Sequence, residues 1–467
     1  MKRPLLIIGV LVCLPAFPVR ADEKIYRQVI PGTVLFYNTY GDGKVSSGSG
    51  VLVDAERRIV ATAHHVVNSL TRDGKTQMSV VFPQWDKNKK IITDAIYYKK
   101  HLDRFRVPAT VIYQNRTKDL ALLQLDRLPP QAKAIPLADD SDPSPGERIH
   151  VLGNSTFFHG GAFGYSTGTV RNMYYYNRKT YFTVPFVFFA LAHHAPTNRG
   201  DSGGPVVNGK GQLVGIISQG TTGSGDEQVI DHSVHVREIR RALETLGGIQ
   251  LPTLTSMTMN MHVDSAGEDS FFLPVNAGQE VNMTLAGNGG TDLDLYAKDL
   301  DHIEDYKLSN NRVIKDYKRL VAEEGDSDQE KAGFTPSFNG TCLIQVRNLG
   351  RTQYNNYNMT VKWAKPATGP VTIIRRLAPL KTDTIKLRYE AGKGKARIAV
   401  RGDGDMNLDL EVLDPKNKVV AKGNESDDRE EINFTPGMTG IYTIRVLSVN
   451  PIGRKTPIWC EYVLTTD

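Results

Sequence analysis

Gly200-Asp201-Ser202-Gly203-Gly204-Pro205 is the stretch whose reading decides the fold. A serine hydroxyl is a weak nucleophile unless a base takes its proton and amides receive the oxyanion. Glycines on both sides of Ser202 let the backbone turn sharply and aim N–H groups at one point. The bland alternative is a glycine-rich turn with a surface serine. A base is found upstream, where Ile59-Val60-Ala61-Thr62-Ala63-His64-His65-Val66-Val67 reads as an apolar strand ending in two histidines. Asp119-Leu120-Ala121-Leu122-Leu123 puts an acid at the head of a hydrophobic strand, where it could orient an imidazole and stabilise its cation. Taken singly, such an Asp is a turn residue and such a His is solvated. In the order His, Asp, Ser the three make a nucleophilic constellation.

Outward from these motifs the chain reads as three regions. From Pro31 to Gly247 it is dense in short alternating strands, among them 33–36, 50–53, 107–113, 120–125, 149–152 and 213–218, separated by Gly, Asn, Asp and Pro clusters. That is the pattern of a barrel or sandwich. The region closes on one helix over 236–246, where Val236, Ile239, Leu243 and Leu246 share a face before Gly247-Gly248. The second and third regions repeat one another. Phe334-Thr335-Pro336, Gly340, Ile344 and Val346 recur as Phe434-Thr435-Pro436, Gly440, Ile444 and Val446, an offset of 100. Asp294-Leu295 matches Asp409-Leu410, an offset of 115, so the first copy carries an insertion, placed in the charged stretch 304–329. Strands of one buried face each predict two β-sandwiches, 254–365 and 371–467, with linkers at 248–253 and 365–370.

The length of 467 residues allows about two to four domains. A net charge of +6 with no run of five or more Lys/Arg argues against nucleic acid as a partner. Residues 1–21 have a basic start at Lys2-Arg3, an apolar run to Phe17, and small residues Val19 and Ala21 before a plausible cut. They read as a secretory signal peptide. An uncleaved anchor is the rival, but the run falls short of the roughly 20 residues a spanning helix needs. A lipoprotein reading of Cys13 is disfavoured by Val12. Removing Lys2, Arg3 and Arg20 takes the charge from +6 to +3 and leaves Cys342 and Cys460. Two thiols in different repeats do not make a disulfide scaffold. No later segment is long and apolar enough to span a membrane. The expectation is a secreted or periplasmic, cell-envelope protein; the sequence leaves its oligomeric state open.

Residues 31–247 resemble the trypsin/chymotrypsin-like serine proteases, especially the bacterial secreted branch with the high-temperature-requirement proteases. The pattern Thr-Ala-x-His maps onto Thr62-Ala63-His64-His65, Asp-Leu-Ala-Leu onto Asp119-Leu120-Ala121-Leu122, and Gly-x-Ser-Gly-Gly-Pro onto 200–205. The resemblance implies a double β-barrel, with catalytic His65, Asp119 and Ser202 and an oxyanion hole from the Gly200 and Ser202 amides. It also assigns Pro196 and Gly215 to the specificity pocket. Trypsin-like enzymes carry an acid where this chain has Pro196, so cleavage after a small or apolar residue is expected instead. No activation sequence is evident, since Arg27-Gln28-Val29-Ile30 is a poor echo, and the partner of Asp201 stays open. The two repeats resemble bacterial pre-peptidase C-terminal domains, on Asp292–Leu295, Asn407–Leu410 and the strand Gly440–Val446.

No cofactor is expected, with one weak exception: Asp403, Asp405, Asn407 and Asp409 form an oxygen-rich series of the kind that holds Ca²⁺, or a solvated turn. His193 and His194 could line a cleft or bind metal, a solvated loop being the plainer reading. The aromatic run 182–189 reads as buried packing rather than a substrate platform. Three functions follow: a serine endopeptidase acting on protein or peptide substrates, a dead protease-like scaffold whose sandwiches carry the function, and an esterase using the same triad. The order His-Asp-Ser disfavours the hydrolase fold in which serine comes first.

Overall fold

The computed structural model describes residues 21–72, 76–180, 183–220, 230–263, 266–289, 291–307, 313–350, 355–404, 406–423, 427–451 and 460–466. The signal-peptide reading of residues 1–20 lies outside them, and Ala21–Val29 is a helix. The described chain is nearly all β, in four sheets.

The first sheet runs Arg106–Val107, Gln77–Val81, Thr33–Thr39, Val45–Asp54, Ile59–Thr62, Leu120–Leu125 and Ala109–Asn115. Its two edge strands are consecutive in the chain, with only Pro108 between them. The sheet therefore curls until its edges meet at a proline, which has no N–H to continue the ladder. This replaces the single strand 107–113 expected from sequence and leaves the first barrel with a seam. The second sheet is a closed barrel of Thr183–His193, Asp231–His235, Leu213–Gly220, Pro205–Asn208, Arg148–Gly153 and Gly164–Thr180. The helix Val236–Leu246 buries Val236, Ile239 and Leu243, and the His235 ring accepts from the Arg237 N–H at its start. His64 and His65, expected at a strand end, instead open the helix His64–Arg72 after the strand Ile59–Thr62.

The two repeats do not fold as separate sandwiches. One sheet joins Leu293–Lys307, Gly340–Asn348 and Glu268–Val275 of the first repeat to Val371–Leu377, Cys460–Thr466 and Lys395–Gly402 of the second. The facing sheet joins Val281–Gly287, Asn355–Thr368 and Thr253–Val263 to Thr382–Tyr389, Gly440–Pro451 and Met406–Leu413. Two antiparallel seams make the joins, Phe271 opposite Ile373 and Met259 opposite Ile385. Each sheet thus runs through both repeats, and one hydrophobic core fills the space between them. The expected linkers shrink accordingly. Ile249–Gln250 pairs in parallel with Lys395–Ala396, and Asn355–Thr368 leaves only Gly369 and Pro370 between the repeats. Cys342 and Cys460 are free buried thiols, not a bridge.

A guanidinium sits where the repeats meet. Arg375 is fully buried; its Nε lies 2.8 Å from Asp383 and its Nη1 3.8 Å from Asp269. Each carboxylate also accepts a tyrosine hydroxyl at 2.7 Å, Tyr357 on Asp269 and Tyr462 on Asp383. Removing the guanidinium takes a charge partner from two buried carboxylates, so Arg375→Met is expected to cost about 3–5 kcal/mol. Arg376→Met, which breaks a half-exposed pair with Glu461, should cost under about 1 kcal/mol. Urea midpoints of the two variants decide this; equal midpoints would refute the assignment.

Candidate active site

Asp119 lies at the junction of the two barrels with its side chain 1% exposed. A carboxylate so buried needs donors to offset lost hydration. It has them: His65 Nδ1 sits 3.0 and 2.9 Å from its two oxygens, the His65 backbone N–H donates at 3.1 Å, and Ser218 Oγ donates at 2.5 Å. Ser218 comes from the second barrel, so the acid is shared by both halves. Asp119 also takes a left-handed backbone, φ 48°, at a cost of about 1 kcal/mol. Asn115 shapes the turn, its Oδ1 accepting from Thr117 Oγ1 and the Lys118 N–H. Burial pulls the His65 imidazole down, but the Asp119 charge and hydrogen bond outweigh it and the net shift is upward. Burial likewise raises Asp119, and its bonds to His65 and Ser218 bring it below the ordinary carboxylate value. Between His64 and His65, it is His65 whose ring meets the acid.

The loop that carries Ser202 is fixed to the first barrel. Thr62 Oγ1 donates to the Ser49 carbonyl at 2.7 Å, the Ser49 N–H to Ser202 O at 2.8 Å, and Ser49 Oγ to Gly200 O at 2.7 Å. A Cβ on Gly203, at φ 82°, would strike Thr62 and the Ser49 carbonyl. This close approach brings Ser202 beside the segment that leads into His65. The Asp201 N–H donates to Asn198 O at 3.0 Å, closing a turn with Gly200 at its third position and φ 103°. That is the position where a type II turn needs a positive φ. Among the described residues, the Gly200 and Ser202 amides donate to no backbone carbonyl, whereas those of Asp201, Gly203 and Gly204 do. Asp201 finds backbone partners, accepting from Ser155 N–H and Asn198 N–H at 2.9 Å each. Burial still raises its carboxyl above the usual value.

The remaining sequence assignments fall further out. Pro196 is exposed, its carbonyl accepting from Ser166 Oγ. Gly215 is buried in strand Leu213–Gly220, opposite Val206 and His235, three residues before Ser218. Asp231, which the sequence reading passed over, is buried against the N–H and hydroxyl of Thr197, and burial raises its carboxyl. His193 is not in a solvated loop: it is fully buried, Nε2 2.9 Å from Ser233 Oγ, and burial with nearby His232 pushes it down to about 3. His194 is exposed. Phe188 is buried in the core, and Phe182 at the start of the aromatic run lies outside the described residues. Asp403 accepts from the Glu461 N–H, Asn407 and Asp409 lie on strand Met406–Leu413, and Asp405 lies outside the described residues. Among the described residues, no three His, Cys, Asp or Glu side chains gather to hold a metal. Ser49 and Ser218 were missed; a serine closing an apolar strand is the only signal Ser218 offers.

Residues 48–216 match the trypsin-like peptidase domain. The match spans His65, Asp119 and Ser202 and a minority of the chain. A curated relative is the "probable periplasmic serine protease do/HhoA-like" of Haemophilus influenzae, 24% identical over 256 residues, half of this chain and 47% of that protein. The chain thus spans about half the length of the curated relative it matches. Similar solved structures include the Rv3671c protease of M. tuberculosis in its active form, 20% identical, covering 53% of this chain and 94% of that one at a TM-score of 0.37. Another is the HtrA-type protease AlgW with a tripeptide, 19% identical, covering 50% and 66% at 0.37.

A base must be neutral to accept a proton, so a raised His65 moves the loss of activity to higher pH. Labelling of Ser202 by a fluorophosphonate is expected to fall with a midpoint above 6.5, the ordinary imidazole value. Asp119→Asn should slow that labelling about 10³–10⁴-fold. A midpoint below 6.5 in the wild type would show that Asp119 does not stabilise the His65 cation.

Proposed function

We propose that the chain is a secreted serine endopeptidase working through Ser202, His65 and Asp119. The observation that carries this reading is the His65 Nδ1–Asp119 contact, made beside the turn that presents the Gly200 and Ser202 amides. Asp119 fixes the tautomer in which Nδ1 keeps its hydrogen and leaves Nε2 to act as base. Ser202 Oγ attacks the peptide carbonyl and its proton passes to His65 Nε2. The oxyanion is received by the Gly200 and Ser202 amides, a role supported by their making no bond to a backbone carbonyl among the described residues. His65 returns the proton to the leaving amine, which departs and leaves an acyl-serine. Water deprotonated by His65 then attacks the acyl group, and the collapsing intermediate releases Ser202. This chemistry calls for no cofactor.

Residues 1–21 and the printed name of the Haemophilus relative support an envelope or secreted location. The absence of an acid at Pro196 supports cleavage after a small or apolar residue. A second reading comes from Asp231, whose buried carboxyl lies on Thr197, next to Pro196, and offers an alternative site of negative charge. A peptide library separates the two. Cuts after small or apolar residues are expected from the mature chain and none from Ser202→Ala. A strong preference for Lys or Arg would overturn the first reading and pass the role to Asp231. No labelling or cleavage by folded protein would favour the scaffold reading, and turnover of esters alone the esterase.

A further inference from the structure

The two elements that carry His65 and Asp119 both touch the sandwich at one carboxylate. Asn68, on the helix His64–Arg72, donates its Nδ2 to Asp301 Oδ1 at 3.1 Å. Arg116, in the turn that ends at Asp119, donates Nη1 to the same Asp301 oxygen and Nη2 to the Leu300 carbonyl at 2.6 Å. The pair is largely shielded, the side chains 10% and 16% exposed. Asp301 is itself braced, its N–H donating to Asp299 Oδ1 at 3.0 Å, and Asp299 in turn meets His302. Beside it Thr117 Oγ1 lies 3.1 Å from Thr372 Oγ1 of the sandwich. Leu300, Leu343, Phe272, Ile374 and Val463 pack there against Val187 of the second barrel.

The sequence repeat makes this contact specific to the first copy. With Asp294 equivalent to Asp409, the second copy's strand ends at Leu413, the counterpart of Lys298. The first copy's strand continues to Lys307, and Asp301 lies in that extension, within the irregular stretch between Asp299 and Ile303. The extension thus begins near Asp299, ahead of the stretch 304–329 where the sequence reading placed the insertion, and its first residues touch the peptidase half.

We infer that Asp301 is a positioning residue: a carboxylate lent by the accessory sandwich that clamps the His65 helix to the Asp119 turn and neutralises Arg116 beside them. This rests on the proteolytic reading of the triad. The groups facing the imidazole are Asp119 and Arg116, with His64 next in the chain, Asp301 behind Arg116, and Asp299 with His302 behind that. Lys118, the other cation of the turn, is paired with Glu238 at 3.0 Å. Arg116 disfavours the His65 cation, so removing the Asp301 charge that offsets it strengthens that effect.

The test uses the full chain and two readouts. The first is NMR titration of the His65 imidazole, assigned by its loss in His65→Gln; the second is fluorophosphonate labelling of Ser202 against pH. Asp301→Asn is expected to move both midpoints to lower pH by about half a unit. Asp301→Ala should do the same and slow labelling on the plateau about tenfold, because both triad elements lose their shared anchor. The double variant Arg116→Gln/Asp301→Asn should bring the midpoint back up, to that of the wild type or above it, since the cation that opposes the imidazolium has also gone. An unmoved midpoint in Asp301→Asn, or a double variant that fails to restore it, would overturn the clamp. Should Asp301→Ala not fold, Asp301→Asn and the double variant decide. Absence of labelling in the wild type would sink the proteolytic reading, and the imidazole titration would still decide the clamp.

Discussion

Everything at the junction of the two barrels depends on burying one charge. Asp119 has lost its water, and a carboxylate in that position is tolerable only while His65 and Ser218 donate to it. Those donors come from different barrels. The first supplies the acid and the imidazole, and the second supplies Ser218 from the strand Leu213–Gly220. Docking of the barrels and ionisation of Asp119 therefore support each other. The same junction brings Ser49 onto the Ser202 and Gly200 carbonyls, so the loop that carries Ser202 is fixed where the two barrels meet.

The motifs at 62–65 and 200–205 were legible because each encodes its own backbone need. Thr62 is present for a hydrogen bond to the Ser49 carbonyl, and Gly203 for an approach that admits no Cβ. Such needs are local, and a sequence displays them. Ser218 was not legible, because a serine at the end of an apolar strand becomes a hydrogen-bond donor only when another barrel delivers a carboxylate. His193 misled for a similar reason. Its neighbours in the chain suggest a loop, while strand pairing and Ser233 make it core.

The sandwich shows the same limit on a larger scale. Offsets of 100 and 115 revealed which strands are equivalent, since equivalence is a property of the pattern. They said nothing of which strands pair across the repeats. Glu268–Val275 lies beside Val371–Leu377, and Thr253–Val263 beside Thr382–Tyr389, so both sheets continue through the junction. Two small sandwiches would each leave strand edges open to other chains. Joining them removes four such edges and creates an interior position for Arg375, which balances one buried carboxylate from each repeat.

The two repeats match one another at offsets of 100 and 115, so their departures from equality can be read directly. Here the largest departure is the lengthened hairpin of Leu293–Lys307 and Val313–Glu323, against Met406–Leu413 and Val419–Gly423 in the second copy. Extra β-hairpin at a sheet edge adds exposed backbone and conformational entropy to be overcome, with little core in return. In this fold the added strand packs Leu300 against the peptidase half and sets Asp301 on Arg116 and Asn68. The second copy joins the same half by a different route, through Arg397 to Glu244 and Glu431 to Arg241, on the helix Val236–Leu246. That helix carries none of the triad. The asymmetry of the repeat thus gives one of two docking contacts to the elements that carry His65 and Asp119, and the other to the helix Val236–Leu246.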